Sequence, residues 1–470
     1  MNLKSISFYL SLFCFPISIL AFVNILYASY FDFFLSIDTY FTTLIISLSV
    51  GGSLLYYGKD SKKKINFFDQ IILIIASYLL TSILIGIPFY LSNYQVNLLN
   101  SIFESMSGLT GTGFSIFKNI KYLDPTLILW RSSSQWIGGL FFLFFLIIIF
   151  SNKSFNYKMT NLTYSGDNNF NSKENIKDNI LRIFIIYSLL SIFILTLLNI
   201  SGLRLFNSLN MTMTLVSGGG FLPSDNISNI IETNFQKIIL IFSLVISMMN
   251  FYLLFNLFNK RILVREHKED LYLIILTIVL FALIYFNNYK GLDIIISVVS
   301  SLANSGLSLV KTDNNLSLYF LLITIIGGSL ISNSSGIKFT RFYILLKITS
   351  SEIMKLISPN SIINKTIFNS EKKISDDNIK ISFLIFISFF LSLFILSTLL
   401  VIDNIGFEKS FKLSILTLTN TVNSEMYNMQ NINFTNLLTS SKISLILFMI
   451  IGKIELISFF LIFKKILFKE

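Results

Sequence analysis

Residues 103–115 read FESMSGLTGTGFS, an apolar stretch that ends in small residues and lies between two hydrophobic segments. A similar arrangement returns three times, as MTMTLVSGGGF at 211–221, SLANSGLSL at 301–309 and LTLTNTVNSEMY at 416–427. Each copy is flanked by segments that are long enough to cross a bilayer. Four short polar loops in one chain therefore predict a pore built by internal repetition.

The composition predicts an all-α polytopic membrane protein. Of the 470 residues, 53% are hydrophobic and only 13% are charged, and the mean hydropathy is +0.73. A soluble protein cannot bury that much apolar surface behind so few charged side chains. We therefore expect membrane lipid to surround most of the chain.

The formal charge of +11 does not indicate a nucleic-acid partner. Lysine and arginine cluster in short loops between hydrophobic segments, as the positive-inside rule describes. Cys14 is the only cysteine and His267 the only histidine, which excludes a disulfide within the chain and a cysteine metal site. A membrane enzyme would need clustered titratable groups at depth, so we expect no enzymatic activity.

The hydrophobic pattern predicts ten transmembrane helices and four short helices. The ten spans are predicted at 7–28, 33–57, 66–92, 124–151, 179–200, 234–258, 271–289, 317–347, 381–402 and 440–466. The short helices are predicted at 97–109, 203–215, 292–303 and 407–419, and they are too short to cross a membrane. The basic loops then fall on one side, which predicts cytoplasmic N- and C-termini and four re-entrant loops that enter from outside.

The same pattern divides the chain into repeated units. We expect two leading transmembrane helices in residues 1–64 and a cytoplasmic linker in residues 350–380. Four pore units, each a span, a short helix, a loop and a second span, are expected at 65–158, 159–264, 265–349 and 381–470.

The four loops have the chemistry of a site for a dehydrated cation. Backbone carbonyl groups of converging loops can replace the water shell of an ion. Glycine can turn its carbonyl group toward an axis, hydroxyl groups add oxygens, and the C-terminal ends of short helices attract cations. The candidate residues are Thr110, Gly111, Thr112, Gly113, Ser217, Gly218, Gly219, Gly220, Asn304, Ser305, Gly306, Asn420, Thr421 and Val422. Because the loops carry no ring of carboxylates, we expect a monovalent ion, K⁺ or alternatively Na⁺.

Two other interpretations stay open. Glycine and serine in membrane helices also permit close packing without any ion site. A secondary transporter would use intramembrane acidic groups for coupling, and Asp38, Asp69 and Glu455 are the candidates.

Several motifs resemble the membrane subunit of the Trk/Ktr/HKT superfamily of potassium transporters. The resemblance runs from about residue 50 to 460, and the order and spacing of the motifs make it specific. They are IPF at 87–89, ESMSGLT at 104–110, WR at 130–131, QWIGG at 135–139, GGS at 327–329, SGIK at 335–338, Arg341, SPN at 358–360 and GKIE at 452–455.

The resemblance implies two leading helices and four pseudo-symmetric helix–pore loop–helix units around a central pore. It also implies K⁺ uptake across a bacterial inner membrane by a homodimer bound to a cytoplasmic nucleotide-binding ring of the TrkA/KtrA kind. The filter glycines of the family correspond to Gly113, Gly306 and either Gly219 or Gly220.

The fourth loop departs from the family because Val422 stands where glycine is expected. A β-branched residue with a positive φ is a strained outlier. We therefore expect this loop to follow another backbone path and one quarter of the ring to be imperfect. A Na⁺-permeable or non-selective transporter of the same fold, and a non-conducting subunit, are the alternatives that Val422 raises.

Residues 327–336, GGSLISNSSG, interrupt the predicted span 317–347, and the family places a flexible gate there. Lys453 stands where the family usually has an arginine just below the filter. The candidate gating residues are Gly327, Gly328, Ser335, Gly336, Lys338 and Lys453. The alternatives are a packing kink in the helix and a lysine that reaches to the inner membrane surface.

Overall fold

A computed structural model describes residues 2–61, 65–150, 176–251, 253–254, 268–285, 291–309, 314–358, 366–369, 373–430 and 432–454. Within these residues the secondary structure is helical, apart from one isolated bridge between Thr366 and Lys373. The expected all-α fold is confirmed. Most of the stretch between the predicted spans 124–151 and 179–200 lies outside the described residues, as do His267 and Glu455.

The described residues form fifteen α-helices. They are α1 Leu3–Tyr30, α2 Phe34–Gly58, α3 Phe67–Leu91, α4 Leu98–Thr110, α5 Pro125–Phe150, α6 Ile176–Ile200, α7 Leu205–Ser217, α8 Asn234–Met248, α9 Lys268–Tyr285, α10 Leu292–Leu302, α11 Asn314–Ile326, α12 Phe339–Ile357, α13 Asp376–Ile402, α14 Phe407–Leu418 and α15 Thr439–Ile454. Single 3₁₀ turns occur at Ile120–Tyr122, Ile227–Asn229, Ile367–Asn369, Glu425–Tyr427 and Phe434–Asn436.

The long helices carry the apolar surface of a membrane protein. By length and composition, five described helices could cross a bilayer, at Leu3–Tyr30, Ser36–Gly58, Phe68–Leu91, Ile180–Ile200 and Asp376–Ile402. Large apolar side chains on them face outward, as with Ile19, which is 63% exposed. Such a surface is stable only against lipid. The chain is thus an integral membrane protein, and the total of ten spans stays a prediction.

The four short helices, α4, α7, α10 and α14, end in the core. They contain 13, 13, 11 and 12 residues, and their ends fall within two residues of the predicted bounds. Their last turns are buried, with Leu109 and Leu302 0% and Leu418 1% exposed. The long helices therefore enclose the ends of the short ones.

Two of the long helices are interrupted. The expectation of an unbroken helix over 234–258 is corrected, because α8 ends at Met248 and residues 249–250 leave the helix. The predicted interruption of span 317–347 lies between α11 and α12, and α12 continues to Ile357, into the segment expected as a linker. The two breaks bond to each other: the Ser329 N–H donates to the Met248 carbonyl (2.9 Å), and the Phe251 N–H donates to the Ile331 carbonyl (2.7 Å). Each break thus supplies partners for backbone groups that the other leaves unpaired.

Glycines in α5 and α15 allow short helices to pack end-on against long ones. A Cβ on Gly138 of α5 would stand 2.0 Å from the carbonyl oxygen of Leu109, at the end of α4. A Cβ on Gly452 of α15 would stand 2.4 Å from the carbonyl oxygen of Leu418, at the end of α14. No side chain fits at either point, so these two glycines set the depth of α4 and α14.

We predict that Gly138→Ala destabilises the protein by about 1–3 kcal/mol, because the new methyl group meets a backbone carbonyl that cannot move alone. The check is the temperature at which the detergent-solubilised protein loses its monodisperse peak. Gly52→Ala is the matched control: Gly52 lies in α2 with nothing within 4 Å of its Cβ position. That change should raise stability by about 0.5–1 kcal/mol through helix propensity. Equal effects of the two substitutions would contradict the packing argument.

Candidate functional site

Each short helix is followed by a residue with left-handed backbone geometry. The φ angle is +77° at Gly111, +68° at Gly218, +59° at Asn304 and +48° at Asn420. Asparagine is one of the few residues besides glycine that adopt this geometry readily. These residues end the helices and turn the chain into the loops.

Backbone hydrogen bonds close the same turn in three of the loops. The N–H group after the left-handed residue donates to the carbonyl five positions earlier: Gly219 to Thr214 (2.9 Å), Ser305 to Ser300 (3.1 Å) and Thr421 to Leu416 (2.9 Å). This bond is typical of a Schellman helix end. In the first loop the Gly113 N–H donates to the Ser107 carbonyl at 3.3 Å.

The shared left-handed residue aligns the four loops without reference to sequence similarity. Two positions beyond it stand Gly113, Gly220, Gly306 and Val422, which we call the four-loop ring. Gly220, rather than Gly219, is therefore the counterpart of Gly113 and Gly306. Gly219 lacks a side chain for another reason, because its Cβ would stand 2.3 Å from Gln135 Oε1.

The loops contact one another in chain order around the ring. The Asn420 amide donates to Thr112 Oγ1 at 3.0 Å, which joins the fourth loop to the first. The Asn304 amide lies 3.4 Å from Thr421 Oγ1, which joins the third loop to the fourth. The Cβ position of Gly111 is 3.8 Å from Gly219 Cα, and that of Gly218 is 3.7 Å from the Ala303 carbonyl oxygen. The candidate residues of all four loops thus lie together.

Val422 does not take the strained conformation. Gly113 and Gly306 have φ angles of +79° and +70°, but Gly220 and Val422 are not in the left-handed region. The expectation that the fourth loop follows another backbone path agrees with this geometry. The second loop does the same, although it carries glycine at that position.

The hydroxyl groups of the loops are bonded within the protein. Thr110 and Thr112 pair with each other at 2.7 Å, and Thr419 and Thr421 pair at 2.9 Å. The Ser305 hydroxyl lies 3.1 Å from that of Ser300. These side chains therefore brace their own loops.

The carbonyl groups of the same loops have no such partners. Among the described residues, no protein group donates a hydrogen bond to the backbone oxygens of Thr112, Gly113, Gly219, Gly220, Ser305 or Thr421. All six residues are buried. A buried carbonyl group without a donor is costly unless water or an ion pairs with it. The loops thus hold buried oxygens for which the described protein supplies no donor.

A buried ion pair holds the first loop from behind. Arg131 of α5 donates from Nε to Glu104 Oε1 of α4 at 2.8 Å, and both side chains are at most 1% exposed. The other carboxylate oxygen accepts the Ile116 N–H at 2.8 Å. Ser115 completes the cluster, since its hydroxyl donates to Glu104 (3.0 Å) and accepts from Arg131 (3.0 Å). The sequence analysis did not predict this ion pair; the opposite charges of Glu104 and Arg131 in neighbouring motifs were the signal that could have identified it.

An open cavity of about 480 Å³ lies against one side of the ring. Its floor includes all four ring residues, and Arg131 lines its wall together with Asp225 and Glu425. We call this cavity the vestibule. The residues that precede each ring residue do not line it, so the vestibule ends at the ring.

The segment between α11 and α12 lies against the ends of the short helices, on the side away from the vestibule. Its Asn333 amide donates to the Val216 carbonyl of α7 at 2.8 Å. The Asn333 carbonyl in turn accepts from Lys453 Nζ at 2.8 Å. Gly327 and Gly336 have φ angles of +69° and +80°. Of the candidate gating residues, Lys453 therefore contacts Asn333, which the sequence reasoning did not select, while a Cβ on Gly336 would stand 3.4 Å from Gly327 Cα.

The other candidate gating residues shape the same segment. Lys338 Nζ folds back onto the Ser332 carbonyl at 3.2 Å and also bonds to the Ser334 carbonyl. The Gly328 N–H donates to Ser334 Oγ at 3.0 Å. Ser335 is buried, and its carbonyl oxygen stands 2.2 Å from the Cβ position of Gly327.

Two buried carboxylates at the start of α9 clamp both helix interruptions. Glu269 accepts the Leu330 N–H at 2.8 Å and also bonds the Thr340 hydroxyl. Asp270 accepts the Asn250 N–H at 2.9 Å. The two side chains are 3% and 2% exposed. We call Glu269 and Asp270 the acidic clamp; adjacent acidic residues at the start of a predicted membrane helix were its only sequence signal.

The comparison with known proteins identifies the family. The family model described as "TrkH: Cation transport protein" matches residues 36–286. The chain belongs to this family. The TrkH-family chain is 28% identical over 293 residues to an uncharacterized cation transporter of Methanocaldococcus jannaschii, covering 61% of this chain and 60% of that protein.

Longer matches lie in Escherichia coli. Identity is 26% over 399 residues to the Trk system potassium uptake protein TrkG (79% of this chain, 80% of that protein). It is 23% over 449 residues to the Trk system potassium uptake protein TrkH (91% and 92%). The crystal structure of the potassium transporter TrkH from Vibrio parahaemolyticus superposes with a TM-score of 0.87 at 18% identity, covering 98% of both chains. This likeness confirms the fold.

We predict that Glu104→Ala destabilises the protein by about 3–5 kcal/mol, because it leaves the buried Arg131 charge without its carboxylate. The loss of thermal stability in detergent measures it. Glu352→Ala is the control, since it breaks an exposed pair with Lys355 (3.1 Å), which contributes about 0–1 kcal/mol. Similar losses in the two variants would show that Glu104 does not act through the buried pair.

We predict that Glu269→Ala loosens the segment 327–338. Removing this buried acceptor leaves the Leu330 N–H without its partner, which costs about 1–3 kcal/mol, so the amide of Leu330 should exchange with solvent deuterium about ten- to a hundredfold faster. Exchange is read by mass spectrometry of peptides from this segment. Glu408→Ala, which removes an exposed carboxylate paired with Lys412 (2.7 Å), should leave these peptides unchanged. Unaltered exchange in the Glu269 variant would rule out the clamp.

Proposed function

We propose that this protein takes up a monovalent cation, most specifically K⁺, through the four-loop ring. One observation carries the proposal: the loops place buried carbonyl oxygens together, and no described protein group donates to them. Such oxygens can replace the hydration shell of a weakly hydrated ion. The carboxyl ends of four short helices point toward the same place, and their dipoles favour a cation. No carboxylate belongs to the ring, which argues against a divalent ion.

The relatives support K⁺ over other cations. The two proteins of Escherichia coli are named potassium uptake proteins, and the superposed Vibrio structure is that of a potassium transporter. These names come with 23% and 26% sequence identity. We assign K⁺ as the substrate of this chain from that sequence similarity together with the loop carbonyls. The protein acts as a transporter and not as an enzyme.

We infer that the segment 327–336 gates the path. It lies directly under the ring, and its Asn333 bonds both to the end of α7 and to Lys453. Lys453 places its amino group near the first loop, since its Nζ is 3.9 Å from the Cβ position of Gly111. A shift of the segment would move both contacts at once.

The remaining parts of the proposal concern the surroundings of the pore. In this proposal the protein lies in a bacterial inner membrane. The charge distribution of the loops then places both termini in the cytoplasm and turns the vestibule outward. A homodimer with a cytoplasmic nucleotide-binding ring follows from the family resemblance. Such a ring would have to act on the gating segment through the cytoplasmic ends of the long helices.

Val422 favours a second candidate function. A ring with one residue unlike the other three discriminates less well among ions, so the chain could be a Na⁺-permeable or non-selective member of the same fold. A non-conducting subunit is the limiting case. Ion flux separates all three.

The test is growth and uptake in bacteria that lack K⁺ uptake systems, with the cognate nucleotide-binding subunit co-expressed where one is encoded. We expect growth at low K⁺ and influx of ⁸⁶Rb⁺ well above that of ²²Na⁺. In Gly113→Asp both should be lost, because the position carries ~1–3 kcal/mol of strain for a side chain and the new charge blocks the ring.

Gly202→Asp is the matched control. Gly202 also has a positive φ of +88°, but nothing lies within 4 Å of its Cβ position. Its variant should retain uptake. Na⁺ influx without growth would favour the second candidate, and the absence of both fluxes from folded, membrane-inserted protein would refute transport.

A further inference from the structure

The side chain of Val422 occupies the space that three glycines leave open. A Cβ on Gly113 would stand 3.1 Å from Val422 Cβ and Cγ2. A Cβ on Gly220 would stand 2.6 Å from Val422 Cβ, and one on Gly306 would stand 2.8 Å from Val422 Cγ1. One isopropyl group thus faces all three glycines, which come from the other three loops. A side chain that lies within 3.1 Å of the Cβ positions of all three other loops stands between them, at the centre of the ring.

The vestibule ends at this isopropyl group. Val422 is half-buried, whereas Gly113, Gly220 and Gly306 are buried. All four residues line the vestibule floor, but Thr112, Gly219, Ser305 and Thr421 directly beneath them do not. The carbonyl oxygens that lack protein donors at those lower positions are therefore separated from the vestibule by the ring. An ion must pass the methyl groups of Val422 to reach them.

Passage past Val422 is unfavourable for a cation. Methyl groups offer no oxygen, so the ion loses water without replacement, and a narrow apolar constriction also sheds water itself. The side chain cannot easily move aside, because a β-branched residue has few staggered conformations. Its backbone is held as well, since the Val422 carbonyl accepts the Ser424 N–H at 3.0 Å.

We propose that Val422 is an apolar constriction at the mouth of the ring and that it limits the rate of cation passage. This inference rests on the proposed function, because it assigns to one residue the control of that flux. A constriction has a different effect from a missing carbonyl ligand. An incomplete set of carbonyls would alter which ion is selected, whereas a constriction lowers the rate of passage of K⁺ and Na⁺ alike.

The first experiment measures ⁸⁶Rb⁺ and ²²Na⁺ uptake by the full chain in proteoliposomes. Val422→Gly should raise both fluxes about tenfold or more, which corresponds to about 1.4 kcal/mol of barrier, and Val422→Ala should lie between it and the wild type. Val401→Gly is the matched control, because Val401 is 40% exposed near the end of α13 and its loss should leave flux unchanged. If the flux of the Val422→Gly variant equals that of the wild type or falls below it, the constriction is refuted, but the transport function stands.

The second experiment does not depend on measurable flux. Cys14 is the only cysteine, so Cys14→Ser with Asn333→Cys carries a single thiol beneath the ring. Silver ions are applied from the vestibule side of oriented vesicles, and later maleimide labelling measures the thiols that silver has not blocked. The rate at which silver blocks the thiol should rise more than about tenfold when Val422→Gly is added. If no variant carries Rb⁺ or Na⁺ but silver protection accelerates, the constriction holds and the transport proposal fails. Equal silver rates with and without Val422→Gly would overturn the constriction.

Discussion

The site depends on a backbone constraint: each of four short helices must end inside the protein and turn at once into a loop. A helix end exposes carbonyl groups that no longer have intrahelical partners. In a membrane these groups need another partner, because water is scarce. The left-handed residues at Gly111, Gly218, Asn304 and Asn420 achieve the turn, and the bonds that close it use some of the carbonyls. Six of the remaining loop carbonyls have no protein donor among the described residues, and we propose that they form the ion site.

Buried charges keep this arrangement in place. Glu104 and Arg131 form a pair that is almost wholly inaccessible to solvent, and the second carboxylate oxygen holds the backbone of the first loop. The acidic clamp acts similarly on the opposite side, where it binds N–H groups from both helix interruptions. In each case a carboxylate supplies acceptors for backbone that no helix satisfies. Such groups stabilise one geometry because an unpaired charge at this depth costs several kcal/mol.

Local pattern predicted the helical architecture and the short helices, because length, hydropathy and helix-end signals are carried by adjacent residues. The family resemblance placed Gly113, Gly306 and Val422 at corresponding positions of their loops. It did not distinguish Gly219 from Gly220, since only the left-handed position of Gly218 sets the register.

The long-range contacts were beyond the sequence reasoning. Asn333 touches α7 and Lys453, which are more than a hundred residues away along the chain. The break after Met248 depends on residues 329–331 and on Asp270, so the sequence near residue 248 could not predict it.

The backbone geometry alternates around the ring. Only the first and third loops place a ring residue at positive φ, and these loops alternate with the second and fourth. A side chain at the first or third ring position would therefore be strained. At the second position the backbone permits a side chain but the packing does not, because a Cβ on Gly220 would stand 2.8 Å from the Ser305 carbonyl oxygen. The fourth position is thus the one at which a side chain meets neither obstacle, and it is the one that carries valine.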